Sequence, residues 1–205
     1  MDEVLVRQRE EMYKFLGHLY LWEVDPEQLK LMRELAPPQP CGVEQWDDGW
    51  RELADFLRDS DESCLDGLAV DYARTFLAAG VAQGQAAFPY ESVYTDKNRQ
   101  LGGASGALSA LYAQKGLKPD EANFKVPSDH IGLELTFMAH LCRSPKAEQQ
   151  AFLESHLFNW DAAFCRDVQR YARTGFYKAV AKITAGFMEL EKELMREEGV
   201  KWDTD

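Results

Sequence analysis

Apolar residues recur at helical spacing along almost the whole chain, and no segment of useful length alternates apolar with polar residues. Met12, Phe15, Leu16, Leu19 and Tyr20 follow the i, i+3, i+4, i+7 rule and fall on one face of a first helix. Asp25 followed by Pro26 starts a second, because aspartate takes up free amides and proline is tolerated in the first turn; it ends near Ala36. The run 37–42, Pro-Pro-Gln-Pro-Cys-Gly, breaks the pattern, and from Val43 onward Trp46, Trp50, Leu53, Phe56 and Leu57 form a third stripe. A fourth helix covers Glu62 to Leu77, with Leu65, Leu68, Ala69, Tyr72 and Phe76 on its apolar face. Residues of about 78–90 are small, polar and glycine-bearing and read as a long loop. Further helices are expected near 98–115, 128–143, 147–174 and 176–198, the third of them broken between His156 and Asp161. The pattern predicts an all-α, single-domain helical bundle over residues 1–205, since the Pro-rich linker 37–42 lies too near the N-terminus to separate independent domains.

An apolar content of 45% in 205 residues is enough for one sizeable core. Lys and Arg number 23 against 35 Asp and Glu, a net charge of -12 that argues against nucleic acid and favours a cationic partner. The acids toward the C-terminus, Glu189, Glu191, Glu193, Glu197, Glu198, Asp203 and Asp205, read as a solvated helix face and receive no site. Two acids follow Met1 with no apolar signal-peptide core, and the longest uncharged stretch, Thr75 to Tyr90, falls short of the roughly 20 apolar residues of a membrane span. A cytoplasmic protein without stable membrane insertion is expected. Cys41, Cys64, Cys142 and Cys165 show neither a CxxC pair nor zinc-ligand spacing and read as reduced thiols.

Three segments bear on chemistry. Phe88 to Asp96 places Tyr90, Tyr94, Glu91 and Asp96 after the flexible loop; tyrosines offer apolar area with a polar tip, and carboxylates accept forked hydrogen bonds from guanidinium groups. The plain reading of the same residues is aromatics plugged into the core and acids capping the next helix. In Val126 to Glu134, Ser128 or Asp129 is expected as the helix N-cap, which puts His130 and Glu134 on one face. Such a pair can ligate a metal, hold a tautomer, or simply hydrogen-bond; a metal needs more ligands than these two, and no HExxH supplies them, so no metal is assigned. Leu101 to Gly106 is glycine-rich but lacks the Gly-Lys-Ser/Thr ending of a phosphate cradle, and no GxSxG is present. No cofactor and no catalytic residue is assigned, and the chain reads as a non-enzyme.

In their order these segments resemble the TorD/DmsD-type cytoplasmic chaperones, or redox enzyme maturation proteins. The likeness lies in Asp71-Tyr72-Ala73-Arg74-Thr75-Phe76-Leu77, in Pro89-Tyr90-Glu91-Ser92-Val93-Tyr94 and, most specifically, in Pro127-Ser128-Asp129-His130. Phe152-Leu153, His156-Leu157, Trp160, Phe164 and Thr174-Gly175-Phe176-Tyr177 are similar to the family's C-terminal helices, so the match spans about 70–180. Ala78-Ala79-Gly80 departs from the short Gly-Pro turn of many members. The resemblance implies an all-α chaperone that binds the twin-arginine signal peptide, and often the body, of the precursor of a molybdopterin-dependent reductase catalytic subunit until its cofactor is loaded. It assigns peptide binding to Tyr72, Phe76, Pro89, Tyr90, Ser92, Tyr94, Asp129 and His130. With them, Asp129, Asp96 or Glu91 would meet the arginines, the four aromatics would supply apolar wall, and His130 would donate to peptide carbonyls. A helical scaffold and a nucleotide-binding accessory protein are the alternative readings, and both a monomer and a homodimer fit the pattern.

Overall fold

A computed structural model describes residues 2–82, 84–96, 104–117 and 126–197. Among these the chain is helical, with no strand and a single isolated antiparallel bridge between Tyr90 and His130. It falls into two compact units, one of residues 1–23 and 87–164 and the other of residues 24–86 and 165–205. None of the described helices is long and apolar enough to cross a membrane.

The first unit begins with α1 (Glu3–Leu21), whose N-cap Asp2 accepts the Val4 N–H. Tyr13, Leu16, Leu19 and Tyr20 are buried along it, while Met12 and Phe15 of the expected stripe are half-buried. α5 (Glu91–Thr95) and α6 (Ser105–Gln114) follow after the excursion of the chain into the second unit. The helix expected from residue 98 starts at Ser105, with Ala104 as its N-cap; 97–103 lie outside the described residues. α7 (Ile131–Leu141) packs along α1, where glycines set the approach. A Cβ on Gly132 would lie 2.4 Å from Leu21 Cγ and 2.7 Å from the Gly17 carbonyl oxygen. α8 (Lys146–Ser155), a 3₁₀ turn over Leu157–Asn159 and the first turn of α9 (Asp161–Tyr171) complete the unit, with the break falling where periodicity places it. Tyr112, Phe137 and Phe152 pack ring on ring, and Trp160 contacts Phe164, which meets Tyr20 edge-on.

In the second unit α2 (Pro26–Glu34) opens with a capping box in which Asp25 and Gln28 satisfy each other's backbone amides. α3 (Glu44–Asp59) is preceded by a turn whose Cys41 and Gly42 amides both donate to the Asp47 carboxylate at 2.9 Å. A 3₁₀ turn, Glu62–Cys64, leads into α4 (Leu65–Phe76), so the helix expected from Glu62 starts with a tighter turn. α10 (Gly175–Glu197) lies against α3, with Trp46 packed on Trp50 and Phe187, and Phe56 on Phe176. α4 contributes Tyr72 and Phe76, whose rings close on Tyr177 of α10.

Candidate functional site

The motif residues of the first unit converge on one junction. Residues 89–91 and 129–131 run antiparallel for a single rung, with Glu91 N–H donating to the Asp129 carbonyl and Ile131 N–H to the Pro89 carbonyl, each at 2.9 Å. Pro89 has no amide to give, so its carbonyl is the one group it offers, and it is used. The Asp129 carboxylate is 0% exposed; its Oδ2 accepts the Ser92 N–H at 3.2 Å at the start of α5, and its Oδ1 has no donor among the described residues.

His130, rather than Ser128 or Asp129, caps α7. Its backbone is extended (φ -77, ψ 131), and its Nδ1 accepts the Gly132 N–H at 3.1 Å. The expected His130 and Glu134 pair is therefore replaced by two separate contacts. The rung to Tyr90 starts the helix at Ile131, and the imidazole turns back to the free amides instead of down the helix. Burial pushes the His130 ring down to about 3, so it is neutral with its proton on Nε2, the Tyr90 ring meeting it edge-on at 5.2 Å. Ser128 is bound to α6 on all sides: its N–H donates to Ser105 Oγ, its hydroxyl lies 2.6 Å from that of Ser109, and its carbonyl accepts from Tyr112 OH. Ser105 belongs to the glycine-rich segment Leu101 to Gly106; Leu101 to Gly103 lie outside the described residues.

Beneath α5 lies a buried polar chain that the sequence does not announce. Glu91 Oε2 is 2.9 Å from Nδ1 of His156, at the C-cap of α8. Glu134, 0% exposed, accepts the Trp160 indole N–H on Oε2 at 3.3 Å. Burial, followed by the charge of Glu91, raises the Glu134 carboxyl well above the usual carboxylate range. Trp160 in turn stacks under Tyr94 at 5.5 Å.

Of the ten residues expected to bind peptide, Tyr90, Tyr94 and Asp96 keep some of their surface in solvent. Pro89, Glu91, Ser92, Asp129 and His130 are buried beneath or beside them, and Tyr72 and Phe76 belong to the second unit, where they pack in its core. Sequence reading misses a groove of about 240 Å³ in the first unit. It is lined by Leu111, Phe137 and Phe152, by the ion-paired Lys115 and Glu148, and by His156. The Phe137 and Phe152 periodicity signals an apolar face, but only the fold leaves a gap there.

The family model of the nitrate reductase delta subunit matches residues 42–166. A chaperone protein TorD of Shewanella pealeana is 27% identical over 212 residues, covering 93% of this chain and 90% of the relative. A chaperone protein TorD of Vibrio cholerae El Tor Inaba is 30% identical over 142 residues, 63% of each chain. The fold is similar to the crystal structure of an Archaeoglobus fulgidus protein assigned provisionally to redox enzyme maturation. That likeness has a TM-score of 0.54 at 21% identity and covers 90% of this chain and 94% of the other.

Proposed function

The chain belongs to the TorD-type family and is a system-specific chaperone for molybdoenzymes, and from that premise we propose that it captures its client precursor by the twin-arginine signal peptide. It acts in the cytoplasm, as a binding protein rather than an enzyme, and releases the precursor for export once the cofactor is in place. The observation that carries this reading is the display of Tyr90, Tyr94 and Asp96 at partly exposed positions on and beside α5, with the remaining motif residues buried as their support.

A twin-arginine peptide presents two guanidinium groups and then an apolar, helix-prone stretch. Asp96 is the accessible carboxylate of the motif and meets the arginines; Tyr90 and Tyr94 give flat apolar area beside it. The apolar groove of the same unit takes the stretch that follows, in the helix-in-groove manner. Pro89, Glu91, Ser92, Asp129 and His130 serve the site by fixing α5, while Tyr72 and Phe76 serve the second unit's core.

Titration calorimetry separates this from a flat-surface scaffold. The signal peptide is expected to bind at about micromolar Kd, and a copy with both arginines replaced by alanine more weakly. Asp96→Asn, which keeps the shape and removes the charge, should weaken the native peptide about tenfold and leave the alanine copy unchanged. Equal binding of the two peptides, or an Asp96→Asn protein that binds as the native one does, overturns the assignment.

A further inference from the structure

The groove of the first unit carries a ring nitrogen with nothing to bind. Its apolar wall comes from Leu111 of α6, Phe137 and Leu141 of α7 and Phe152 of α8, and its charged residues, Lys115 and Glu148, satisfy each other. His156, the residue just after α8, completes the lining and is held on two sides: Nδ1 lies 2.9 Å from Glu91 Oε2, and the ring packs on Phe152 at 5.1 Å. Against a carboxylate, which only accepts, Nδ1 is the donor. Nε2 has no partner among the described residues and is not closed off from solvent. Ser155, the other uncharged polar residue of the lining, is exposed, whereas the His156 side chain keeps 18% of its surface.

We propose that His156 is the specificity residue of the groove, its Nε2 taking a single hydroxyl from an otherwise apolar, neutral helical segment. The inference rests on the reading of the groove as the seat of the signal peptide's apolar stretch, and it names what that stretch carries. A wholly apolar segment laid over His156 would strip Nε2 of water and offer it no partner, which is the unfavourable direction for a polar atom. The backbone of a helical segment cannot serve, since its amides and carbonyls bond one another. A charged side chain cannot serve either, because Lys115 and Glu148 are already paired and the rest of the wall is apolar. A hydroxyl both donates and accepts, so it meets Nε2 whether the ring is neutral or protonated. A carboxamide does both as well, but it brings a second polar group that the apolar wall leaves unpaired. With about 240 Å³ the groove has room for a few side chains, so the hydroxyl of a serine, threonine or tyrosine is read at one position of the stretch.

His156 discriminates because it cannot turn away. Glu91, whose carboxylate orients the ring, is itself 5% exposed, and its backbone N–H is tied to the Asp129 carbonyl at 2.9 Å. Rotating the imidazole to hide Nε2 would take the Nδ1 donor from that buried carboxylate and trade one unmet polar atom for another. A polar atom held in place in this way selects for its partner more strongly than a mobile one does, because a segment without the hydroxyl leaves it bare.

Phenol and toluene, which differ by a hydroxyl in place of a methyl, test the site without any peptide. In nuclear magnetic resonance titrations of the isotope-labelled protein, both should move the methyl resonances of Leu111 and Leu141, and phenol alone should move the Nε2 resonance of His156. The ratio of phenol to toluene affinity should fall about fivefold in His156→Phe, which keeps a ring and deletes both nitrogens. It should fall equally in His156→Asn, which keeps a donor for Glu91 and deletes Nε2. A phenol-bound groove whose Nε2 resonance stays put, a ratio that survives either substitution, or a groove that takes neither probe overturns the assignment. In the peptide, serine placed singly along the apolar stretch should be tolerated at one position about fivefold better by the native protein than by His156→Phe, and matching profiles overturn it. The phenol arm uses no peptide, so failure of the His156 assignment is distinguishable from failure of the signal-peptide reading, which shows instead as indifference to the two arginines.

Discussion

Asp71→Ala is expected to lower the unfolding free energy by about 4 kcal/mol, the largest loss from any single polar substitution in the second unit. Asp71 is 2% exposed in the middle of α4, and its carboxylate collects donors from the start of α10. The Arg173 N–H reaches both oxygens at 3.0 and 3.1 Å, and the Thr174 N–H and hydroxyl reach Oδ2 at 2.8 and 2.6 Å. Thr75 of the same helix adds its hydroxyl to Oδ1 at 3.2 Å. These amides sit at the positive end of the longest described helix, where a negative charge is favoured. Alanine removes the acceptor and leaves the donors behind, which is the expensive direction of the change, since each hydrogen bond to a charged group is worth roughly 1.5–3 kcal/mol and some of that is regained from water. Asp71→Asn keeps one acceptor oxygen and should lose about half as much. Urea denaturation followed by far-ultraviolet dichroism reads both; a loss below about 1 kcal/mol for alanine would show that solvent replaces the carboxylate.

Asp71 also illustrates what a sequence does and does not disclose. An acid at a position of the Leu68, Tyr72, Thr75, Phe76 stripe cannot face solvent if the stripe is buried, so some partner for it is legible from α4 alone. That the partner is the turn before α10, about a hundred residues away, is a fact of tertiary folding. The helices with strong periodicity, α3, α4 and α10, are legible nearly to their ends, and so is the break before Asp161, because each depends on local spacing or local breakers. α5 is not visible in the sequence, since five residues carry no period and the helix is made by the cap from Asp129 and the stack of Tyr94 on Trp160. Sequence misplaces the cap of α7 for the same reason: Ser and Asp are the commoner caps, but the backbone rung to Tyr90 fixes which residue lies just outside the helix.

The candidate site divides along the same line. Residue types draw attention to 88–96 and 126–134, and the fold brings these segments into direct contact. Their exposure is not readable from residue type. Carboxylates and histidines at such positions look like ligand groups in a linear sequence, whereas Oδ2 of Asp129 and Nδ1 of His130 accept the amides of Ser92 and Gly132. Glu134 and His156 become meaningful only when Trp160 and Glu91 are placed beside them, contacts that span 26 and 65 residues of chain.

Glycine to alanine in a helix is expected to change sign within the second unit, depending on what stands opposite. Gly67, on the exposed side of α4, has nothing within 4 Å of an added Cβ. Gly67→Ala should stabilise by about 0.5–1 kcal/mol, through lower freedom of the unfolded chain and better helix propensity. Gly186 of α10 faces Trp46 of α3, and an added Cβ would lie 2.4 Å from its backbone nitrogen and 2.6 Å from its Cα. No side-chain rotation relieves a clash with backbone; one helix must move off the other. A Cβ on Gly49, from the opposite helix, would likewise lie 2.7 Å from the Ile183 nitrogen, so the two helices have no slack along this seam. Moving them apart also unpacks Trp46 from Phe187 and Trp50, and overpacking of this kind costs about 3 kcal/mol even after the helix-propensity gain is subtracted. Thermal and urea unfolding of the two single variants and the double variant check the pair. The substitutions lie on separate helices and involve separate surroundings, so their effects should add within about 0.5 kcal/mol. A Gly186→Ala protein as stable as the native one would mean that α3 and α10 are not held at this distance in solution.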